Sequence, residues 1–131
     1  MNKNSNIGFI GLGNMGKPIF DNLNKKFSNI YCFDNDTSKL KKNNFSASLD
    51  EIFEKCKIII FCIESNEQII DIIKESNINK NTIIIDLTSS LPELTKKISS
   101  YLKKFESHYV DAGMSGGASG ATNGTLTLML G

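Results

Sequence analysis

Short apolar runs alternate with longer amphipathic stretches along the whole chain, and this alternation limits the fold more than any other feature. The runs that read as strands are 7–10 (IGFI), 30–34 (IYCFD), 57–63 (KIIIFCI), 82–87 (TIIIDL) and 108–112 (HYVDA). They are rich in Ile, Phe and Tyr and nearly continuous in apolar character, as expected when helices cover both faces of a parallel sheet. A weak short strand is expected near Phe45. The helix starts carry their own marks. Ser48 with Glu51, Ser65 with Gln68 and Ser90 with Glu93 each fit a capping box, a hydroxyl at the N-cap and a Glu or Gln three positions on. Pro92 stands just inside the third start, where its missing N–H costs nothing. From there Leu91, Leu94, Ile98, Tyr101, Leu102 and Phe105 fall on one helical face. The pattern predicts an α/β chain: a Rossmann-type, doubly wound, mainly parallel sheet with helices on both faces, as one domain over 1–131.

The strand at 7–10 runs directly into GLGNMG, which places Gly11, Gly13 and Gly16 at the spacing G-x-G-x-x-G and opens a helix. Ile19, Leu23 and Phe27 lie on one face of that helix. Asp34 ends the second strand, roughly 20 residues after the glycines, as a dinucleotide-binding βαβ unit requires. The physical roles follow. Gly11 permits the tight turn, Gly13 lets the backbone approach a pyrophosphate, and Gly16 lets the helix pack closely on the strand. The N–H groups of Leu12, Gly13, Asn14 and Met15 then face the pyrophosphate at the positive end of the helix. Asp34 accepts from the adenine-ribose hydroxyls and repels a 2′-phosphate. All fifteen basic residues are lysines, so no guanidinium is present to take such a phosphate. NAD is therefore expected as cofactor ahead of NADP, although Lys39 can reach a phosphate. Asp36 can cap the turn after the second strand, which leaves Asp34 for the ligand.

Composition removes several other classes of function. A net charge of +1 gives no basic field for nucleic acid. The polar start MNKNSN is not a secretory signal, and the longest apolar run, IIIFCI, is too short to span a bilayer, so no membrane partner is expected. Cys32, Cys56 and Cys62 have no C-x-x-C spacing, which points to reduced thiols in the cytoplasm rather than to disulfides or a metal site. His108 is the single histidine and reads as a surface or packing residue rather than a base.

The second informative stretch is VDAGMSGGASGATNGTLTLMLG, 110–131, with two glycine clusters and a strand pair. Together with IGFIGLGNMGKPIFDNL it resembles the β-hydroxyacid dehydrogenase family, which includes 3-hydroxyisobutyrate and 6-phosphogluconate dehydrogenases. The resemblance covers the entire chain. It implies an oxidoreductase that moves a hydride between a 3-hydroxy acid and nicotinamide. It also places Ile63, Glu64, Gln68 and Ser89 near the cofactor, with Ser89 close to the nicotinamide, in the segment Asp86, Thr88, Ser89. Ser115, Gly116 and Gly117 match the family's substrate anchor, where a hydroxyl and successive backbone amides hold a carboxylate. Gly113 resembles phosphogluconate-type enzymes, which would make the reaction an oxidative decarboxylation, whereas GTLTLMLG resembles the hydroxyisobutyrate type. A non-catalytic NAD-binding or sensing module is a third reading, and it leaves the substrate anchor without a use.

In the family a lysine beyond the Rossmann domain acts as general acid/base, and a helical second domain completes the site and usually the homo-oligomer. Here the last lysine is Lys104, ahead of Ser115. The resemblance therefore implies that these residues are a cofactor-binding half with no catalytic residue of their own, inactive alone.

Overall fold

A computed structural model describes residues 4–40 and 45–131. The strands β1 (Ile7–Ile10), β2 (Ile30–Phe33), β3 (Ile58–Phe61), β4 (Ile83–Asp86), β5 (His108–Ser115) and β6 (Thr127–Leu130) form one sheet in the order β2-β1-β3-β4-β5-β6. The first five are parallel, and β6 returns antiparallel to β5. The expected weak strand near Phe45 is a single bridge: Cys32 donates to the Phe45 carbonyl and accepts from Ala47, each at 2.9 Å. Counting that bridge outside β2 gives the doubly wound order 3-2-1-4-5-6, whose switch point lies between β1 and β3.

β5 is longer than the apolar run that predicts it. His108–Asp111 pairs with β4, and Ala112–Ser115 continues because β6 pairs with it from the other side. The helices are α1 (Gly16–Asn24), α2 (Leu49–Lys55), α3 (Asn66–Glu75), α4 (Pro92–Lys103) and α5 (Gly117–Asn123). Side chains alternate across the sheet and build a core on each face. Ile59, Phe61 and Ile84 pack under α2, α3 and α4 through Ile52, Phe53, Ile69, Ile73, Ile98 and Leu102. Phe9, Ile30 and Ile60 pack with Phe20 of α1 and Ala112 of β5 on the opposite face.

One of the three expected capping boxes forms as read. Glu51 N–H donates to Ser48 Oγ at 3.1 Å and Ser48 N–H to Glu51 Oε1 at 3.5 Å. Ser65 is the N-cap of α3, but its side chain makes no capping bond. The third start shifts by one residue: Leu91 is the N-cap and Pro92 the first helical residue. The Ser90 hydroxyl lies 3.0 Å from both an Asp86 carboxylate oxygen and the Thr88 carbonyl instead. A buried carboxylate is a stronger acceptor for that hydroxyl than anything the exposed helix start offers.

Candidate functional site

The parallel strands end along one edge of the sheet, and at the β1/β3 switch point their loops separate to leave a groove of about 750 Å³. The glycine loop forms its centre. Gly11 has φ +107°, and a Cβ there would stand 2.1 Å from the Cys62 carbonyl oxygen, so the turn against β3 requires glycine. A Cβ on Gly16 would stand 1.9 Å from the Gly11 carbonyl oxygen, so α1 leaves the strand end in backbone contact. Gly13 differs: a Cβ there meets nothing within 4 Å, and the residue lines the groove. Among the described residues no protein acceptor takes the N–H of Gly13, Asn14 or Met15. Three amides at the start of α1 are therefore available to an anion.

Asp34 stands beside them at the end of β2. Its Oδ2 accepts from Leu12 N–H at 2.7 Å and its Oδ1 from Asp36 N–H at 2.8 Å. Each oxygen keeps a further lone pair for an incoming hydroxyl. Leu12 departs from the sequence expectation. Its amide is spent on Asp34, its side chain is buried in the core, and it does not line the groove. Asp36 caps the 3-10 turn Thr37–Lys39, and the Ser38 hydroxyl and N–H hold its carboxyl below the ordinary range.

The groove brings together Gly11, Gly13, Asn14, Met15, Gly16, Asp34, Ile63, Glu64, Gln68 and Ser89, that is, every proposed cofactor residue except Leu12. The loop bearing Ser89 is pinned from below. Asp86, fully buried, accepts from Thr88 N–H at 2.7 Å and from the Tyr109 hydroxyl, and the Thr88 hydroxyl accepts from Ile63 N–H at 3.2 Å. Burial, followed by the Asp86 carboxylate, pushes the Tyr109 phenol upward, so it stays a donor. Cys62 also lines the groove, and burial pushes its thiol up to about 11. His108, at the opposite end of the strands, is exposed and outside the groove.

Sequence reasoning missed Phe33, Asp71, Ile72 and Met114, which also line the groove. Asp71 and Ile72 lie three and four positions after Gln68 on α3, so helical spacing from Gln68 could have found them. Phe33 and Met114 carry no such signal, because an apolar residue at a strand end reads as core.

Ser115, Gly116 and Gly117 do not line this groove. They are exposed just past Met114, where β5 turns into α5. Gly116 and Gly117 have φ of +128° and +62°, and a Cβ on Gly117 meets nothing within 4 Å. Among the described residues, the N–H groups of Gly117 and Ala118 also have no protein acceptor.

The chain has relatives. The 2-(hydroxymethyl)glutarate dehydrogenase of Eubacterium barkeri is 35% identical over 100% of this chain and 47% of its own length. The mitochondrial 3-hydroxyisobutyrate dehydrogenase of Drosophila melanogaster is 32% identical over 96% of this chain and 41% of its own. The chain thus spans less than half the length of these curated relatives. Among solved structures, the Mycobacterium tuberculosis 3-hydroxyisobutyrate dehydrogenase with L-serine superposes with a TM-score of 0.89 at 23% identity, covering 98% of this chain and 46% of that one. That likeness shows the shared Rossmann fold. A family profile described as the NAD binding domain of 6-phosphogluconate dehydrogenase matches residues 6–131, and the chain belongs to that family.

Proposed function

We propose that these residues are the cofactor half of an NAD-dependent dehydrogenase acting on a small 3-hydroxy acid of the 3-hydroxyisobutyrate type. The observation that carries the reading is the row of unpaired amides at Gly13, Asn14 and Met15 beside Asp34. In this reading the amides hold the pyrophosphate and Asp34 takes the adenine-ribose hydroxyls. Ile63, Glu64, Gln68 and Ser89 line the remainder of the dinucleotide. When bound, the nicotinamide supplies the hydride acceptor or donor. Ser89 is held at that end by the Asp86, Thr88 and Ile63 hydrogen bonds. Ser115, Gly116 and Gly117 hold the acid's carboxylate through a hydroxyl and backbone amides.

The proton of the carbinol hydroxyl needs a base, and neither the ribose side of the groove nor its thiol supplies one. Asp34 and Asp36 stand at the ribose side with Lys39, and the Cys62 thiol stays protonated near neutral pH. A lysine outside these residues fits that role, as the family resemblance implies, and a homo-oligomer is the expected assembly. Three thiols support a reducing compartment, which we read as the cytoplasm, and among the described residues no helix is long and apolar enough to cross a membrane.

Fluorescence titration with NADH and with NADPH tests the cofactor assignment. NADH is expected to bind more tightly. Equal affinity, or tighter NADPH, overturns it.

A further inference from the structure

The helix that presents Ser115–Gly117 has little of its own to hold it in place. α5 is GASGATN, seven residues, two of them glycine, and only Gly120 and Ala121 are buried. A helix of that length and composition is unstable in isolation. Its C-terminal carbonyls also need donors. Gly124, with φ +69°, and Thr125 both donate to the Gly120 carbonyl. The carbonyls of Ala121 and Thr122 are taken from outside: Asn22 Nδ2 on α1 donates to them at 2.8 and 3.3 Å. Two carbonyl acceptors require the amide nitrogen there, and the Asn22 Oδ1 correspondingly faces Lys25 Nζ at 3.5 Å. Beside it a cavity bordered by α1, α5 and the segment after α5 is lined mostly by apolar side chains, Ile19, Leu23, Ala121 and Leu126 among them. Asn22 is thus a polar side chain on a packing face, used to complete the last turn of another helix.

The two helices joined this way carry the two anion sites at their other ends. α1 begins at the amides of Gly13–Met15, and α5 begins at Gly116 and Gly117. We propose that Asn22 is a positioning residue. By tying the C-terminal turn of α5 to the last turn of α1, it sets where the acid anchor stands relative to the pyrophosphate amides. The inference rests on the reading that Ser115–Gly117 hold a substrate carboxylate. The bond lies about 10 Å along α1 from Met15, at 1.5 Å per residue, so it touches neither ligand.

The test uses the 131-residue chain with NADH and 3-hydroxyisobutyrate as probes. Asn22→Leu keeps the volume and removes the donor. Asn22→Asp keeps the shape and, when ionised, aims a carboxylate at two carbonyls. Both are expected to speed amide hydrogen exchange in α5 by about tenfold, the effect of losing a hydrogen bond to a part-buried carbonyl. They should weaken the acid-induced amide shifts of Gly116, Gly117 and Ala118 by a similar factor, and leave the NADH Kd within twofold. Asn22→Asp should regain protection, relative to intrinsic exchange, as its carboxyl protonates on acidification, whereas Asn22→Leu should not. Wild-type exchange in α5 of both variants overturns the proposal, as does an NADH loss equal to the acid loss. If the wild-type Gly116–Ala118 amides ignore the acid while NADH binds, the substrate-anchor reading falls and the positioning role falls with it. The α5 exchange would then still decide whether Asn22 clamps the helix.

Discussion

The glycines of the loop stand in different physical situations, so one chemical change should have opposite effects at two of them. At Gly13 an added Cβ meets no heavy atom within 4 Å, and the backbone is not in the left-handed region. Gly13→Ala should therefore stabilise the folded chain by about 0.4–1 kcal/mol, through the smaller entropy of the unfolded state. For a domain of this size that raises Tm by about 1–4 °C. The same methyl occupies the space from which a pyrophosphate would reach the amides of Gly13, Asn14 and Met15. Losing two charge-assisted hydrogen bonds at about 1.5–3 kcal/mol each removes about 3 kcal/mol or more. The NADH Kd should accordingly rise by about 100-fold. At Gly16 the Cβ would lie 1.9 Å from the Gly11 carbonyl oxygen and 2.9 Å from its carbon, and backbone atoms have no alternative rotamer. Gly16→Ala must push α1 off the strand end and should destabilise by about 1–3 kcal/mol. Thermal melts without cofactor, followed by NADH fluorescence titration, give both numbers. A Gly13→Ala protein that melts several degrees lower, or binds NADH within threefold of wild type, refutes the assignment of the open side of Gly13 to the ligand.

Replacing Asp34 with Ser should narrow the gap between NADH and NADPH by about tenfold, because about 1 kcal/mol or more of repulsion per charge pair is removed; a gap that stays the same points to another determinant. Ser115→Ala in a full-length enzyme should raise KM for the hydroxy acid about five- to tenfold, one hydrogen bond's worth, with NADH affinity unchanged; parallel losses would make the segment a fold element only. Burial raises Cys32 and Cys56 from 9.0 to about 11. Between those pH values the unfolded chain releases protons that the folded chain keeps, so stability should fall as pH rises through the window. Urea midpoints at pH 8 and pH 10.5 check this, and Cys56→Ala should flatten the decline.

The elements legible in the sequence were those whose cause is local. β1 through β4 show as apolar runs because both faces are covered, and the glycine loop shows because the turn, the approach and the helix contact each need a missing Cβ. A strand pair shows within 110–131, but the reach of β5 does not: Gly113, Met114 and Ser115 have no continuous apolar pattern and are held by pairing with β6. The third capping box fails to form for a related reason. The spacing of Ser90 and Glu93 says that they can meet, while the buried Asp86 decides that Ser90 turns elsewhere. Leu12 teaches the same at the site. Its amide lies on the loop as expected, but a carboxylate from the end of β2 takes it. Asn22 was invisible as a functional position, because its partners lie about 100 residues away on a helix whose own sequence gives little hint of stability.

Charge along the groove makes a sharper statement than any one residue in it. The centre offers amide N–H groups at the positive end of α1, which favour an anion. The lining beyond carries Asp34 and Asp36 after β2, Glu64 in the loop before α3 and Asp71 on α3, against Lys39 as the lining cation. Carboxylates accept from hydroxyl and amino groups and repel further anions. A ligand suited to this pattern has its negative charge in the middle and hydrogen-bond donors or a positive charge towards its ends. A nicotinamide-adenine dinucleotide has that distribution, with a pyrophosphate between two ribose diols and a ring that is cationic when oxidised. A 2′-phosphate would bring additional negative charge to the Asp34 side. Each unit pair at about 4 Å costs roughly 1 kcal/mol in water and 4 kcal/mol at the effective dielectric of a protein surface. Lys39 can offset part of that cost, but its ammonium is a mobile point charge without the fixed fork of a guanidinium. The preference for the unphosphorylated dinucleotide therefore belongs to the field of the lining carboxylates together, with Asp34 as their nearest member.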